Sequence, residues 1–197
     1  MPYTLEHKAL SREKILSAAA DLFCRYGFDA VSVSAVMKAA AMTHGGFYAH
    51  FKSKTELYAD AIRYAASQTF LGKVDESAAV NVPLIELVES YLSMEHIKQE
   101  SFACPLAFLS TDIAHREPVV RESYERTFKG MISKLSRFYP AHIQRERALS
   151  LAKTLVTRLV GTVSIARSLC DESLQQDLIE TTKAELLREL NLLSGHR

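Results

Sequence analysis

Long apolar runs are missing from this 197-residue chain. No stretch of about 18 consecutive apolar residues occurs, so no membrane-spanning helix is expected. The opening residues, MPYTLEHKALSREK, lack the apolar core of a secretory signal, and a cytoplasmic protein is expected. Cysteine is scarce: Cys24, Cys104 and Cys170 are odd in number, far apart and without a C-x-x-C pair. That argues against a disulfide framework or a zinc site and suits reduced thiols. Charge of one sign is missing too, since the net charge is +1 and composition alone selects no partner. A paired nucleophile and base, a phosphate-cradling loop and a metal cluster are all absent from the pattern, and the seven histidines are scattered. Hence no catalytic residue, metal site or cofactor is assigned, and the chain is not expected to be an enzyme.

What is present is helix. Five prolines and seven glycines punctuate the chain sparsely, and no strand-like alternation lasts. In SREKILSAAADLFCRYG, Ser11 is the expected N-cap, Ile15, Ala18, Ala19, Leu22, Phe23 and Tyr26 recur at helical spacing, and Gly27 is placed to end the helix. Ser32 is an expected N-cap for a short helix that turns Val33, Val36, Met37 and Ala40 inward. Thr43 is placed to cap a further helix of about two turns. Ser53 and Glu56 form a capping box for a longer helix over 54–72. The segment GKVDESAAVNVP marks a boundary. Beyond it, helices are expected near 84–99, 105–115, 118–139, 144–169 and 173–193, with Pro105, Pro118 and Pro140 at their limits. The fold class is therefore all-α, of about nine helices. The expected division is a head over 1–53, a linking helix over 54–72 and a body over 73–197.

The stretch MTHGGFYAHFKSK, residues 42–54, is unusual for helix. Gly45 and Gly46 each cost about 1 kcal/mol relative to Ala inside a helix. A tight turn with an aromatic core plug would accommodate them. So would a helix-turn-helix made of residues 32–40, the turn Ala41–Met42, and residues 43–51. There the second helix enters the major groove, and glycines at its start bring backbone N–H groups close to DNA. Phe47 and Phe51, four apart, would face the small core. Tyr48 and Lys52 would lie on another face within reach of phosphates, as would Lys54, and His44 would face a base edge. Residues 30–55 hold three lysines, two histidines and no acid, a local field that attracts a polyanion. Cap, turn and spacing together favour the helix-turn-helix.

The same residues resemble a known family. ILSAAADLFCRYGFDAVSVSAVMKAAAMTHGGFYAHFKSKTELYADAI is similar to the N-terminal domain of TetR/AcrR transcriptional regulators. The likeness runs through LF..YGFDAVSV, THGGFY.HFKSK and the EL that follows, over residues 11 to about 65. It implies an all-helical homodimer with a three-helix DNA-binding head joined by a fourth helix to a ligand-binding and dimerisation body. It also implies that Thr43 caps and touches a phosphate, that His44 and Gly46 face bases, and that Tyr48, His50 and Lys54 contact the backbone. Ser32 caps the preceding helix beside a phosphate. One departure stands out: the family's turn often carries Gly where this chain has Ala41.

The body carries no comparable motif. The resemblance implies a dimer interface built from helices 144–193; the same apolar stripes also suit the monomer's own core. Met94, Phe102, Phe108, Tyr124, Phe128 and Met131 are candidates to line an apolar ligand pocket, with Thr157 and Arg158 as polar anchors, and they equally suit plain core. Cys104, before Pro105 at a helix start, joins that set either as a reactive thiol or as an inert buried one. Asp112 and His115 have a useful i, i+3 spacing, but two ligands do not define a metal site. The expected function is a ligand-responsive regulator, a repressor that binds a palindromic double-stranded DNA operator as a homodimer and is released by a small-molecule effector, with no membrane partner. The alternative is a helical small-molecule-binding or interaction protein without specific DNA binding.

Overall fold

A computed structural model describes residues 5–69, 84–100 and 104–193. The expected boundary segment at 72–83 and the pocket candidate Phe102 lie outside the described residues. Among the described residues every regular element is helical. They are α1 (Leu5–Ala30), α2 (Val33–Ala39), a 3-10 helix η1 (His44–Ala49), α3 (Lys54–Gln68), α4 (Leu84–Tyr91), α5 (Met94–Ile97), α6 (Pro105–Phe108), α7 (Ser110–Ile113), α8 (Pro118–Ser136), α9 (Arg145–Ala166) and α10 (Glu172–Leu193). The all-α expectation holds, with eleven helices among the described residues where about nine were expected.

The surplus comes from two breaks. The run expected over 84–99 is interrupted by Ser93, whose extended backbone and hydroxyl cap α5 by accepting from the His96 N–H at 3.2 Å. The run expected over 105–115 breaks at Leu109, whose φ of −118° and ψ of 3° leave helical geometry. Ser11 is not an N-cap. The helix begins at Leu5, so Ser11 is an interior, buried residue. Gly27 ends the regular part of α1 as expected, with φ 75° and ψ 176°, a conformation that side-chain-bearing residues avoid. Tyr26, expected inward, is exposed.

The described residues form two compact units. The first groups the described part of residues 1–68 with that of 103–127; the second groups that of 69–102 with that of 128–197. In the first, α1 packs on α2 and α3, α2 on η1, and α6 on both α1 and α3. Its core holds Ile15, Ala19, Phe23, Val36, Met37, Phe47, Phe51, Leu57, Tyr58 and Ile62, all nearly inaccessible. Phe23, Phe28 and Tyr58 form an aromatic cluster with centroids 4.7–6.1 Å apart. Segment 104–127 is fastened to α3 through Ser123. Its buried hydroxyl donates to the Ala59 carbonyl at 2.5 Å and accepts from Arg63 at 2.8 Å.

In the second unit α9 and α10 pack together and α10 packs on α4. Ala152, Val156, Leu159, Val163 and Ala166 of α9 and Leu186 and Leu190 of α10 are buried, as their spacing predicts. Leu174, near the start of α10, is exposed. Helix α9 is long and apolar enough to cross a membrane by length and composition. Its amphipathic pattern, with Lys153 and Thr157 exposed opposite the buried face, accounts for that hydropathy as a packed core helix.

Candidate nucleic-acid interface

Helix α2 is capped by the Ser32 hydroxyl, which accepts the Ala35 N–H at 3.0 Å. It ends in two bonds: the Met42 N–H reaches the Met37 carbonyl at 2.9 Å, and the Ala41 N–H reaches that of Lys38 at 3.0 Å. This pairing is the Schellman closure, which needs a left-handed residue just past the cap. That residue is Ala41, with φ 56°. The position where the resemblance implies Gly thus keeps the left-handed turn with alanine.

Past the turn, the expected two-turn α-helix is a single 3-10 helix of six residues, HGGFYA. Two glycines in six residues remove the propensity that would propagate an α-helix. Thr43 occupies the N-cap position with extended backbone, but its side chain makes no capping hydrogen bond. Its hydroxyl stays exposed at the start of η1.

Phe47 and Phe51 are buried as expected, with centroids 5.9 Å apart. The Arg12 guanidinium lies 4.6 Å from the Phe51 centroid and is ion-paired with Asp60. On this base Tyr48 stands 69 % exposed, its ring edge-on to Phe47 at 5.1 Å and to the exposed His44 at 6.4 Å. A Cβ added at Gly45 would meet nothing within 4 Å, so this glycine is not required by the chain's own packing. At Gly46 an added Cβ would touch the Met37 methyl at 3.7 Å, within ordinary contact.

His50 is half-buried, and its Nδ1 has no hydrogen-bond partner among the described residues. Burial, then the charges of Lys8 and Arg12, hold its pKa below the usual imidazole value. The expected capping box forms with a one-residue shift. Ser53 Oγ accepts the Glu56 N–H at 3.0 Å, while the Glu56 carboxylate accepts the Lys52 N–H at 2.7 Å. This fixes the Lys52 backbone and leaves its side chain exposed. Lys54 differs: its ammonium lies 4.1 Å from the centroid of Phe28, and burial lowers its pKa. Ser32, Thr43, His44, Gly45, Tyr48 and Lys52 are therefore exposed, and Gly46, His50 and Lys54 are partly covered.

Spacing could not reveal the cluster behind Lys54. The Arg116 guanidinium lies 4.6 Å from the Phe28 centroid. It donates to both carboxylate oxygens of Asp29, at 3.1 and 2.7 Å, and to Asp112 at 2.6 and 3.3 Å. Asp112 also accepts from the Tyr58 hydroxyl at 2.5 Å. Burial first, then that bond to Asp112, pushes the Tyr58 pKa far up. The two bonds drive the Arg116 pKa upward and hold that of Asp29 down. Asp112, half of the i, i+3 pair with His115, is thus committed to Tyr58 and Arg116. Asp29 and Arg116 are 87 positions apart, and no local pattern links them.

Of the pocket candidates, Cys104, Phe108 and Tyr124 belong to the first unit, and Met94, Phe128, Met131, Thr157 and Arg158 to the second. Cys104 and Phe108 are buried. Tyr124 donates to the Leu106 carbonyl at 2.8 Å, and burial pushes its pKa up to about 12. It also lines an open groove of about 430 Å³ together with Ser110, Ile113, Pro118, Arg121 and Glu122. Thr157 is exposed, and Arg158 is bound to Glu189 of α10 at 2.7 Å. These two therefore fall on the exposed side of α9 and at its junction with α10.

Comparison with known proteins agrees with this geometry. Residues 15–61 match the family model described as bacterial regulatory proteins, tetR family. The HTH-type transcriptional regulator AcrR of Shigella flexneri is 25 % identical over 171 residues, 76 % of each chain. The uncharacterised HTH-type transcriptional regulator YfiR of Bacillus subtilis is 33 % identical over 75 residues, 38 % of this chain and 36 % of that one. In fold, the chain resembles the crystal structure of reduced Escherichia coli NemR, with a TM-score of 0.69 and 20 % identity over 89 % of this chain and 94 % of that one.

Proposed function

We propose that this chain, a DNA-binding transcriptional regulator of the TetR/AcrR family, is a ligand-responsive repressor acting as a homodimer on a palindromic operator. The observation that carries the reading is the solvent face of η1. Tyr48 and His44 stand exposed on a buried Phe47–Phe51 base, beside an open Gly45 and an exposed Lys52. In this reading the N-terminus of η1 approaches base edges with His44 foremost. Ser32, Thr43, Tyr48, His50, Lys52 and Lys54 hold phosphates, and those contacts set register without reading sequence.

Dimerisation is assigned to α9 and α10. Ile165, Leu174 and Leu192 are large apolar side chains left exposed on these two helices. A second copy burying the same face would cover them and set the distance between heads. An effector that favours a body conformation with mismatched heads needs only about 1–3 kcal/mol of coupling to change operator affinity roughly 5- to 150-fold. The protein works in the cytoplasm, where its DNA is. The test is operator selection from random DNA, then a screen for small molecules that release the selected DNA. Recovery of a palindrome and of a releasing compound is expected; specific binding that no effector alters would overturn the ligand-responsive part.

A further inference from the structure

We propose that Arg116 is a positioning residue for DNA binding, holding Phe28 as the platform on which Lys54 is presented to a phosphate. The inference rests on the reading of Lys54 as a phosphate contact. Two cations lie over Phe28, the Lys54 ammonium 4.1 Å and the Arg116 guanidinium 4.6 Å from its centroid. The ring lies in the last turn of α1, just after the kink at the left-handed Gly27, and packs against Phe23 and Tyr58. Arg116 adds a further hold on it. Its fork holds Asp29, the next residue, by two bonds and is itself anchored on Asp112. Asp112 is held in turn by Tyr58, one turn along α3 from Lys54. Platform, lysine and anchor thus close a ring through α1, α3 and the end of α7.

A lysine ammonium on a flexible stem loses rotamer freedom when it engages a phosphate. A cation–π seat that already holds it reduces that loss. Arg116 is largely covered, its side chain 16 % exposed, and its charge is paired with Asp29 and Asp112 of the same chain. It acts on DNA only through what it holds.

The experiment is a double-mutant cycle read as operator dissociation constant against salt. Lys54→Met should lower the salt slope by about one phosphate's worth, near 0.9. Arg116→Met should weaken binding by about tenfold with the salt slope unchanged, since a platform is lost and no phosphate contact is. Arg116→Lys keeps the charge but loses the planar fork and the stacking, and should weaken binding by about threefold. Both losses should vanish in the Lys54→Met background. The Lys variant serves if the Met variant unfolds. A loss that persists fully without Lys54, a slope reduced by Arg116→Met, an unchanged affinity in both variants or an unchanged slope in Lys54→Met would each overturn the proposal. Failure of the unmodified protein to bind DNA with a salt-dependent constant would instead overturn the regulator reading itself.

Discussion

Phe47 and Phe51 stack in the interior of the first unit, 5.9 Å between centroids, while Tyr48, the residue after Phe47, stands 69 % exposed with its ring edge-on to Phe47. The short 3-10 helix therefore has an anchoring face and a presenting face. Substitutions on the two faces should separate stability from DNA binding. Phe47→Ala removes a buried aromatic and should cost about 3–5 kcal/mol of stability. Tyr48→Ala should change stability by less than about 0.5 kcal/mol. The same change should weaken binding several-fold at every DNA sequence. Denaturant titration and binding isotherms on the two variants check this.

Gly45 gives a second separation. Its Cβ space is empty within the protein, so Gly45→Ala should leave the unfolding midpoint unchanged or slightly raised. If the glycine exists to let backbone approach DNA, operator affinity should nonetheless fall by about tenfold, a loss near 1.4 kcal/mol. Unchanged affinity would mean that the approach is not that close.

Ala41 carries a backbone cost in the Schellman turn. At φ 56° an alanine is strained, whereas glycine is not. Ala41→Gly should raise stability by about 1 kcal/mol, or roughly 2–4 °C in a chain of this size. A lowered melting temperature would show that the strain is relieved in some other way.

What is legible in the sequence depends on the range of the interactions. The Ser32 cap, the Ser53–Glu56 box, the inward Phe47 and Phe51 and the stripe along α9 are decided within a few residues, and all could be read in advance. Ser11 misled because the helix continues upstream to Leu5, leaving no terminus to cap. η1 misled because periodicity cannot distinguish a glycine-weakened 3-10 turn from two turns of α-helix. Ser93 offered a legible signal, a hydroxyl three residues before His96, within a run whose apolar spacing pointed to continuous helix. The Arg116 cluster had no local signal, because Asp29, Tyr58 and Asp112 meet only in the folded unit.

His96 makes stability depend on pH. It is buried, its Nδ1–H donates to the Tyr91 carbonyl at 2.7 Å, and burial, the largest cause, holds its pKa below 6.5. The unfolded chain therefore binds more protons just below pH 6.5, and stability rises with pH through that interval. The contribution is complete above the unfolded value and is lost as pH falls toward the folded one. His50, also lowered mainly by burial, acts in the same direction. Urea midpoints should fall between about pH 7 and about pH 5.5, and His96→Gln should flatten much of that fall. An equally steep fall in the variant would place the titrating group elsewhere.

The most direct test of the central claim is selection of the purified protein against random-sequence DNA, followed by titration of the enriched sequence at two salt concentrations. A palindrome whose affinity falls steeply as salt rises is the expected result, with Tyr48→Ala weakening binding to every sequence. No enrichment, with weak binding that is indifferent to Tyr48→Ala, would contradict it.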